Sequence, residues 1–199
     1  MSQENLSLEI YHYLDLKELL KNSPKLWWPN AGSFEVVVGA ILTQNTTWKN
    51  VEKSLKNLDG FLSLERFITL REDKLKELIK PSGFYNQKAP RLLALAQDIY
   101  DTFYTFDKFQ EKVTRAWLLD KKGIGEESAD AILCYACFRD EMVVDTYTKR
   151  LLDTRYKIRF KKYSEYKEYL ESGIRENFDK DLYKIFAKFH GMIVEYSKL

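Results

Sequence analysis

Residues Leu118–Thr148, LLDKKGIGEESADAILCYACFRDEMVVDTYT, decide how this chain reads. Gly123-Ile124-Gly125 stands between two helical patterns, Lys108–Asp120 and Glu126–Phe138. Glycines in so tight a turn permit positive φ and let a ligand approach the backbone, while Ile124 packs inward. The next helix starts within a residue or two, so its free N–H groups and its dipole point the same way, which suits a phosphate. Lys121 and Lys122 add charge beside the turn. Twenty residues after Gly125, the apolar run Met142-Val143-Val144 leads to Asp145, a carboxylate partly stripped of water. Plainer readings stand beside these: any interhelical turn can use a Gly-x-Gly, and Asp145 can simply cap a helix.

Working outward, the 199 residues suit one domain or two small lobes sharing a core. Hydrophobic residues make up 45%, which excludes a disordered chain. Only eight glycines and four prolines are present, too few for the turns of a sandwich or barrel, so an all-α fold is expected. The net charge of +2 neither demands nor excludes nucleic acid. Its distribution says more. Lys149, Arg150, Arg155, Lys157, Arg159, Lys161 and Lys162 cluster against the single Asp153, as a solvated face or a phosphate-facing patch. Cys134 and Cys137 have helical spacing and read as small core residues, since a redox pair opens a helix after a strand. Two thiols alone build neither a zinc site nor an iron–sulfur cluster. Residues 1–14 carry Glu4, Glu9 and His12 where a leader or membrane anchor needs an apolar run, so a cytosolic protein is expected.

Helical patterns fill most of the remainder. Leu14, Leu16, Leu19 and Leu20 suggest an opening helix that ends before Asn22. Phe34–Leu42 has the valines of a buried strand, but no partner strand is near, and a buried helix is the better reading. Val51–Leu58, Leu62–Thr69 and Glu72–Ile79 read as short helices, the last stopped by Pro81 and Gly83. Gln87–Phe103 follows, with Pro90 expected in its first turn. Beyond Thr146 two or three more helices are expected, with Lys180–Ser197 strongly amphipathic.

The residues Leu118, Gly123-Ile124-Gly125, Ser128-Ala129 and Ile132, followed by Val143-Val144-Asp145-Thr146, together resemble a known segment. It is the helix-hairpin-helix and catalytic region of the endonuclease III-like DNA glycosylase superfamily. Leu42-Thr43-Gln44-Asn45-Thr46 and Gly83-Phe84-Tyr85-Asn86-Gln87-Lys88-Ala89 resemble two further motifs of that family, in the expected order. The likeness runs from about Trp27 to Arg150. Trp27-Trp28-Pro29 and Phe189-His190-Gly191 look more like its bacterial 3-methyladenine DNA glycosylase III branch.

The resemblance implies two helical lobes: residues 1–29 with 135–199, carrying Asp145, and a central lobe of about six helices, 30–134, holding the hairpin. It implies a glycosylase of base excision repair that hydrolyses the N-glycosidic bond of alkylated purines, chiefly 3-methyladenine, in double-stranded DNA. Glycosylases for oxidised pyrimidines or mismatched thymine, and a non-catalytic DNA-binding module, are the alternatives. Asp145 would stabilise positive charge on the sugar and orient water. Trp27, Trp28 and Trp48 are the pocket candidates, with Trp27 and Trp48 the preferred pair for a cationic base. Gln44 would fill the gap left by an everted nucleotide and Phe84 would wedge the opposite base. Each has a plainer alternative, core packing or capping. Lys122, Gly123, Gly125, Ser128 and Thr146 are expected to contact the DNA strand, and His190 lines the pocket or serves the core. Lyase-competent relatives carry a lysine two residues after the second hairpin glycine, where this chain has Glu127, so hydrolysis without strand cleavage is expected. Relatives with a cluster carry four cysteines beyond the catalytic domain, and none follows Cys137 here, so no cofactor is expected. A monomer is expected, nucleoid-associated when acting.

Overall fold

In the computed structural model, which describes residues 5–199, every regular element among the described residues is helical. Glu4 lies outside them, as does the rest of 1–4. In chain order the helices are α1 (Ser7–Asp15), α2 (Phe34–Leu42), α3 (Trp48–Asn57), α4 (Leu64–Phe67), α5 (Glu72–Leu78) and α6 (Tyr85–Phe103). Then come α7 (Phe106–Lys112), α8 (Arg115–Leu119), α9 (Glu126–Ala131), α10 (Thr146–Tyr156), α11 (Tyr163–Arg175) and α12 (Leu182–Tyr196). A 3-10 turn covers Lys80–Ser82 and a π turn Ile132–Ala136. The fold is all-α. Two compact units divide it: Asn30–Ile132 is the central unit, and the described residues up to Pro29 with Leu133–Leu199 are the terminal unit.

In the central unit, α2 is a helix despite three successive valines. Each loses at most about 0.7 kcal/mol of helix propensity, while full burial stabilises each by about 1.5–3 kcal/mol. Every residue of α2 except Glu35 is buried, and a helix closes its own backbone hydrogen bonds there. Its last carbonyl, on Leu42, accepts a 2.8 Å bond from Lys88 Nζ, which also donates to the Ser82 carbonyl at 2.9 Å. Lys88, only 2% exposed, thereby ties the end of α2 to the turn that precedes α6. The amine replaces two orphan helix-end acceptors' lost water, and burial pulls its pKa down to about 8.

Some expected boundaries moved. Helix α6 starts at Tyr85, so Pro90 is its sixth residue rather than a first-turn one, and the helix gives up one backbone bond there. Thr105 and Thr114 each accept a backbone N–H and so start two short helices, α7 and α8, where the single helix Lys108–Asp120 was expected. Several helices are only four to seven residues long, which is why the central unit holds eight rather than about six. Such short pieces leave little periodicity to read.

In the terminal unit, α1 runs Ser7–Asp15 and not through Leu16–Leu20. Ser7, Ile10, Tyr11 and Leu14 form its buried stripe, whereas Leu16 is 83% exposed. Gly173 of α11 lets that helix approach Ser7 of α1, and Tyr11 meets Phe189 of α12 edge to face, ring centroids 5.5 Å apart. The last helix is amphipathic, with a wide buried face: Phe186, Ala187 and Phe189–Val194 are all inside. Cys134 and Cys137 are buried and not disulfide-linked, and burial pushes the Cys137 thiol up to about 12.

Candidate active site

Asp145 reaches its place along a buried path. The Met142 N–H donates to Glu171 Oε1 and the Val144 N–H to the Tyr163 hydroxyl, which fixes the extended run before α10. Asp145 is then the N-cap of α10, so the cap is Asp145 itself and Thr146 is the exposed first helical residue. Its Oδ1 accepts from the Thr148 N–H at 2.7 Å and the Thr148 hydroxyl at 2.9 Å. Oδ2 lies 3.4 Å from His190 Nε2. The side chain is 14% exposed. Burial alone would raise its pKa, but His190 and the Thr148 donors outweigh it and hold the carboxyl below the ordinary range. Asp145 is therefore ionised at neutral pH.

Four aromatic groups share this corner of the terminal unit. His190, 3% exposed, meets the Tyr135 hydroxyl at 2.8 Å through Nδ1. The Tyr135 hydroxyl also lies 3.2 Å from the Ala187 carbonyl. The Trp27 indole stands edge-on to the imidazole, centroids 5.1 Å apart, and its N–H donates to Glu195 at 2.9 Å. Trp27 adopts a left-handed backbone (φ 65°), unusual for a bulky residue. Trp28 is buried against Tyr135 at 5.2 Å. Tyr135 was not legible as a site residue. The only hint lay in its place between the hairpin and Asp145, on a helix that widens into a π turn, a distortion frequent at functional sites.

The other sequence-derived candidates lie in the central unit. Gly123 takes φ 88°, as expected of a turn glycine, but Gly125 is extended at φ −94° and needs no glycine for its own conformation. A methyl group at Gly125 would meet nothing within 4 Å, so that backbone is open to an incoming group. Ile124 is buried beneath the turn and Lys122 is exposed. Gln44 Nε2 donates to the Gly123 carbonyl and to Ser128 Oγ, both at 3.0 Å, joining the end of α2 to the hairpin. Ser128 is thus a buried partner of Gln44 and not a surface hydroxyl. Arg115 of α8 grips the fully buried Asp130 of α9 with two nitrogens, at 2.7 and 3.2 Å, clamping the hairpin helices. Phe84 is 59% exposed and left-handed at φ 48°, an apolar ring held out at a strained position. Trp48 is the half-buried first residue of α3, and Glu127 is exposed.

Among the described residues no group of three or more His, Cys, Asp or Glu could hold a metal ion, and no helix is long and apolar enough to cross a membrane.

Residues 38–176 match the HhH-GPD superfamily of base excision DNA repair proteins. The chain is 45% identical to the H. pylori 3-methyladenine DNA glycosylase solved with 1,N6-ethenoadenine, over 96% of this chain and 97% of that one, with a TM-score of 0.91. It is 44% identical over 180 residues to a protein of Methanocaldococcus jannaschii provisionally assigned as a DNA repair glycosylase, covering 86% of this chain and 80% of the other. An endonuclease III–DNA complex shares the fold at 20% identity, with a TM-score of 0.71 over 94% of this chain and 84% of the other. Hairpin, capping aspartate and these matches together define a DNA-binding glycosylase of base excision repair. The chain belongs to the HhH-GPD superfamily.

Proposed function

We propose that this enzyme hydrolyses the N-glycosidic bond of alkylated purines in duplex DNA, chiefly 3-methyladenine, and leaves the abasic strand intact. The observation that carries this reading is the ionised, largely buried Asp145 sharing one corner with His190 and the Trp27 indole. Breaking the bond builds positive charge on the deoxyribose, and a fixed carboxylate in a poorly solvated place stabilises that charge far better than water does. A methylated purine is itself a cation and a good leaving group, so the protein need supply little acid. Electron-rich indoles attract such a cation by about 0.5–2 kcal/mol each. Trp27 is the stacking residue beside Asp145, and Trp28 packs against Tyr135.

The remaining roles follow the geometry. The open backbone at Gly125, in the turn that Gly123 begins, and the exposed Lys122 take a strand phosphate, and Thr146 takes another at the start of α10. Phe84 is the wedge. Ser128 acts through Gln44, whose amide it holds. Exposed Arg150, Lys157, Lys161 and Lys162 add attraction for the backbone, whereas Arg159 is already paired with Asp153. Glu127, where lyase-competent relatives carry lysine, forms no Schiff base.

Incubation with dimethyl sulfate-treated duplex, followed by identification of the free bases, tests the reading. Released 3-methyladenine with unbroken strands is expected. Release of thymine glycol or mismatched thymine alone would sink it, and an adduct trapped by borohydride would sink the monofunctional part.

A further inference from the structure

Hydrolysis of a cationic nucleoside leaves one proton over. The purine departs with the bonding pair as a neutral base, the water oxygen bonds to C1′ of the sugar, and the water's H⁺ needs an acceptor. On Asp145 only Oδ2 is available, because Oδ1 already accepts two bonds from Thr148. A carboxyl that keeps this proton no longer stabilises the sugar cation of the next turnover. Behind Oδ2 lies a buried nitrogen, His190 Nε2, that makes no hydrogen bond.

We propose that His190, oriented by Tyr135, is the proton acceptor behind Asp145, relaying the water's proton out of the active site. This rests on the reading of Asp145 as the catalytic carboxylate. The Tyr135 hydroxyl has one proton to give and two neighbours, the Ala187 carbonyl and His190 Nδ1. The carbonyl can only accept. With the hydroxyl proton on Ala187, Nδ1 must carry hydrogen and donate to the Tyr135 oxygen, which leaves Nε2 bare and facing Asp145. Nε2 stands 3.4 Å from Oδ2 without a hydrogen bond to it, which fits this tautomer. Once Asp145 has taken the proton, Oδ2–H is donor to that nitrogen. Transfer restores the carboxylate and leaves an imidazolium beside it, an ion pair braced by Nδ1–H on Tyr135. The proton returns to solvent after the base has left.

The titratable groups set against His190 are Asp145 from the start of α10 and Tyr135 from the π turn. On its own helix, Glu195 lies beyond the Trp27 indole that it holds. Burial keeps the Tyr135 phenol neutral, its pKa well above the usual value, so it serves as an orienting dipole and not a second base. The Asp145 carboxyl is held below its ordinary range by a charged His190 and the Thr148 donors.

Multiple-turnover release of 3-methyladenine from methylated duplex, corrected for spontaneous loss, should be followed over about pH 5–8 in four proteins. The wild-type rate is expected to fall toward low pH as His190 is filled in advance. In His190→Gln the plateau should drop by about tenfold to a hundredfold, and the acid limb should vanish. Tyr135→Phe keeps the imidazole but removes an acceptor from its charged form, so the limb should move to lower pH. This variant decides the matter if His190→Gln does not fold. A wild type with no limb, a limb kept in His190→Gln, or an unmoved limb in Tyr135→Phe overturns the relay. Asp145→Asn separates the two ideas. If it still excises, the catalytic reading of Asp145 falls and the relay with it; if it is inactive while His190→Gln keeps the limb, only the relay falls.

Discussion

Gly191 lies so close to Trp27 that a methyl group on it would stand 2.5 Å from the indole Cγ and 2.7 Å from Cβ. Those atoms sit next to the Trp27 backbone and cannot swing away as a side-chain tip can. Gly191→Ala should therefore destabilise the protein by about 1–3 kcal/mol through overpacking, and it should displace the indole from His190. Thermal unfolding gives the first effect. For the second, excision of methylated purines should fall more than affinity for undamaged duplex; equal losses of both would remove Trp27 from the pocket.

Asp145 caps α10 and, in the proposed reaction, also faces the sugar, and substitutions can separate the two. Asn caps about as well as Asp, so Asp145→Asn should lose well under about 1 kcal/mol of stability yet at least about a hundredfold in excision. Asp145→Ala should lose the activity and about 1 kcal/mol besides. The pH dependence has a definite sign. Because the folded pKa is lowered, the charged cap's contribution is complete above about pH 4 and is lost as pH falls through the folded value. Any stability advantage of wild type over Asp145→Asn should accordingly shrink as pH falls on the acid side.

Phe84 holds a bulky ring in a left-handed conformation and in water. Phe84→Gly should relieve about 1 kcal/mol of backbone strain and leave the fold intact by circular dichroism. Its affinity for damaged duplex should fall, because unstacking the partner strand would lack a wedge. Unchanged affinity would mean the ring is there for some other reason.

Lys88 joins the end of α2 to the turn before Phe84. Its folded pKa of about 8 lies below that of a free lysine, so the folded state sheds the proton first. Stability should be flat below about pH 8 and rise from there to about pH 10, since the unfolded chain then binds more protons. Lys88→Met should abolish that rise. At neutral pH it should also cost about 1–2 kcal/mol, by leaving two buried carbonyls without a donor.

The hairpin was legible because its glycines, charges and flanking helices are neighbours in the chain, and Asp145 because an apolar run announces it. The all-helical class followed from the scarcity of turn residues. What could not be read were pairings between distant positions: Arg115 with Asp130, Gln44 with Ser128, Tyr135 with His190. Each joins residue types that look ordinary alone, and only the fold brings them together. Boundaries failed where local signals compete. Leu16, Leu19 and Leu20 mimic a helical stripe, but α1 buries Ile10, Tyr11 and Leu14 and ends at Asp15. Pro90 looks like a first-turn proline only if Tyr85 and Asn86 are left out of the helix.

The two sulfhydryls bear on survival rather than catalysis. Methylating electrophiles react with thiolates, and at neutral pH a thiol held at about 12 is ionised in only about one molecule in 10⁵. Cys134 and Cys137 are also shut away from solvent. A repair enzyme built this way offers those reagents no ready thiol to inactivate, and under the proposed reaction it would keep working amid the chemical assault that produces its substrates.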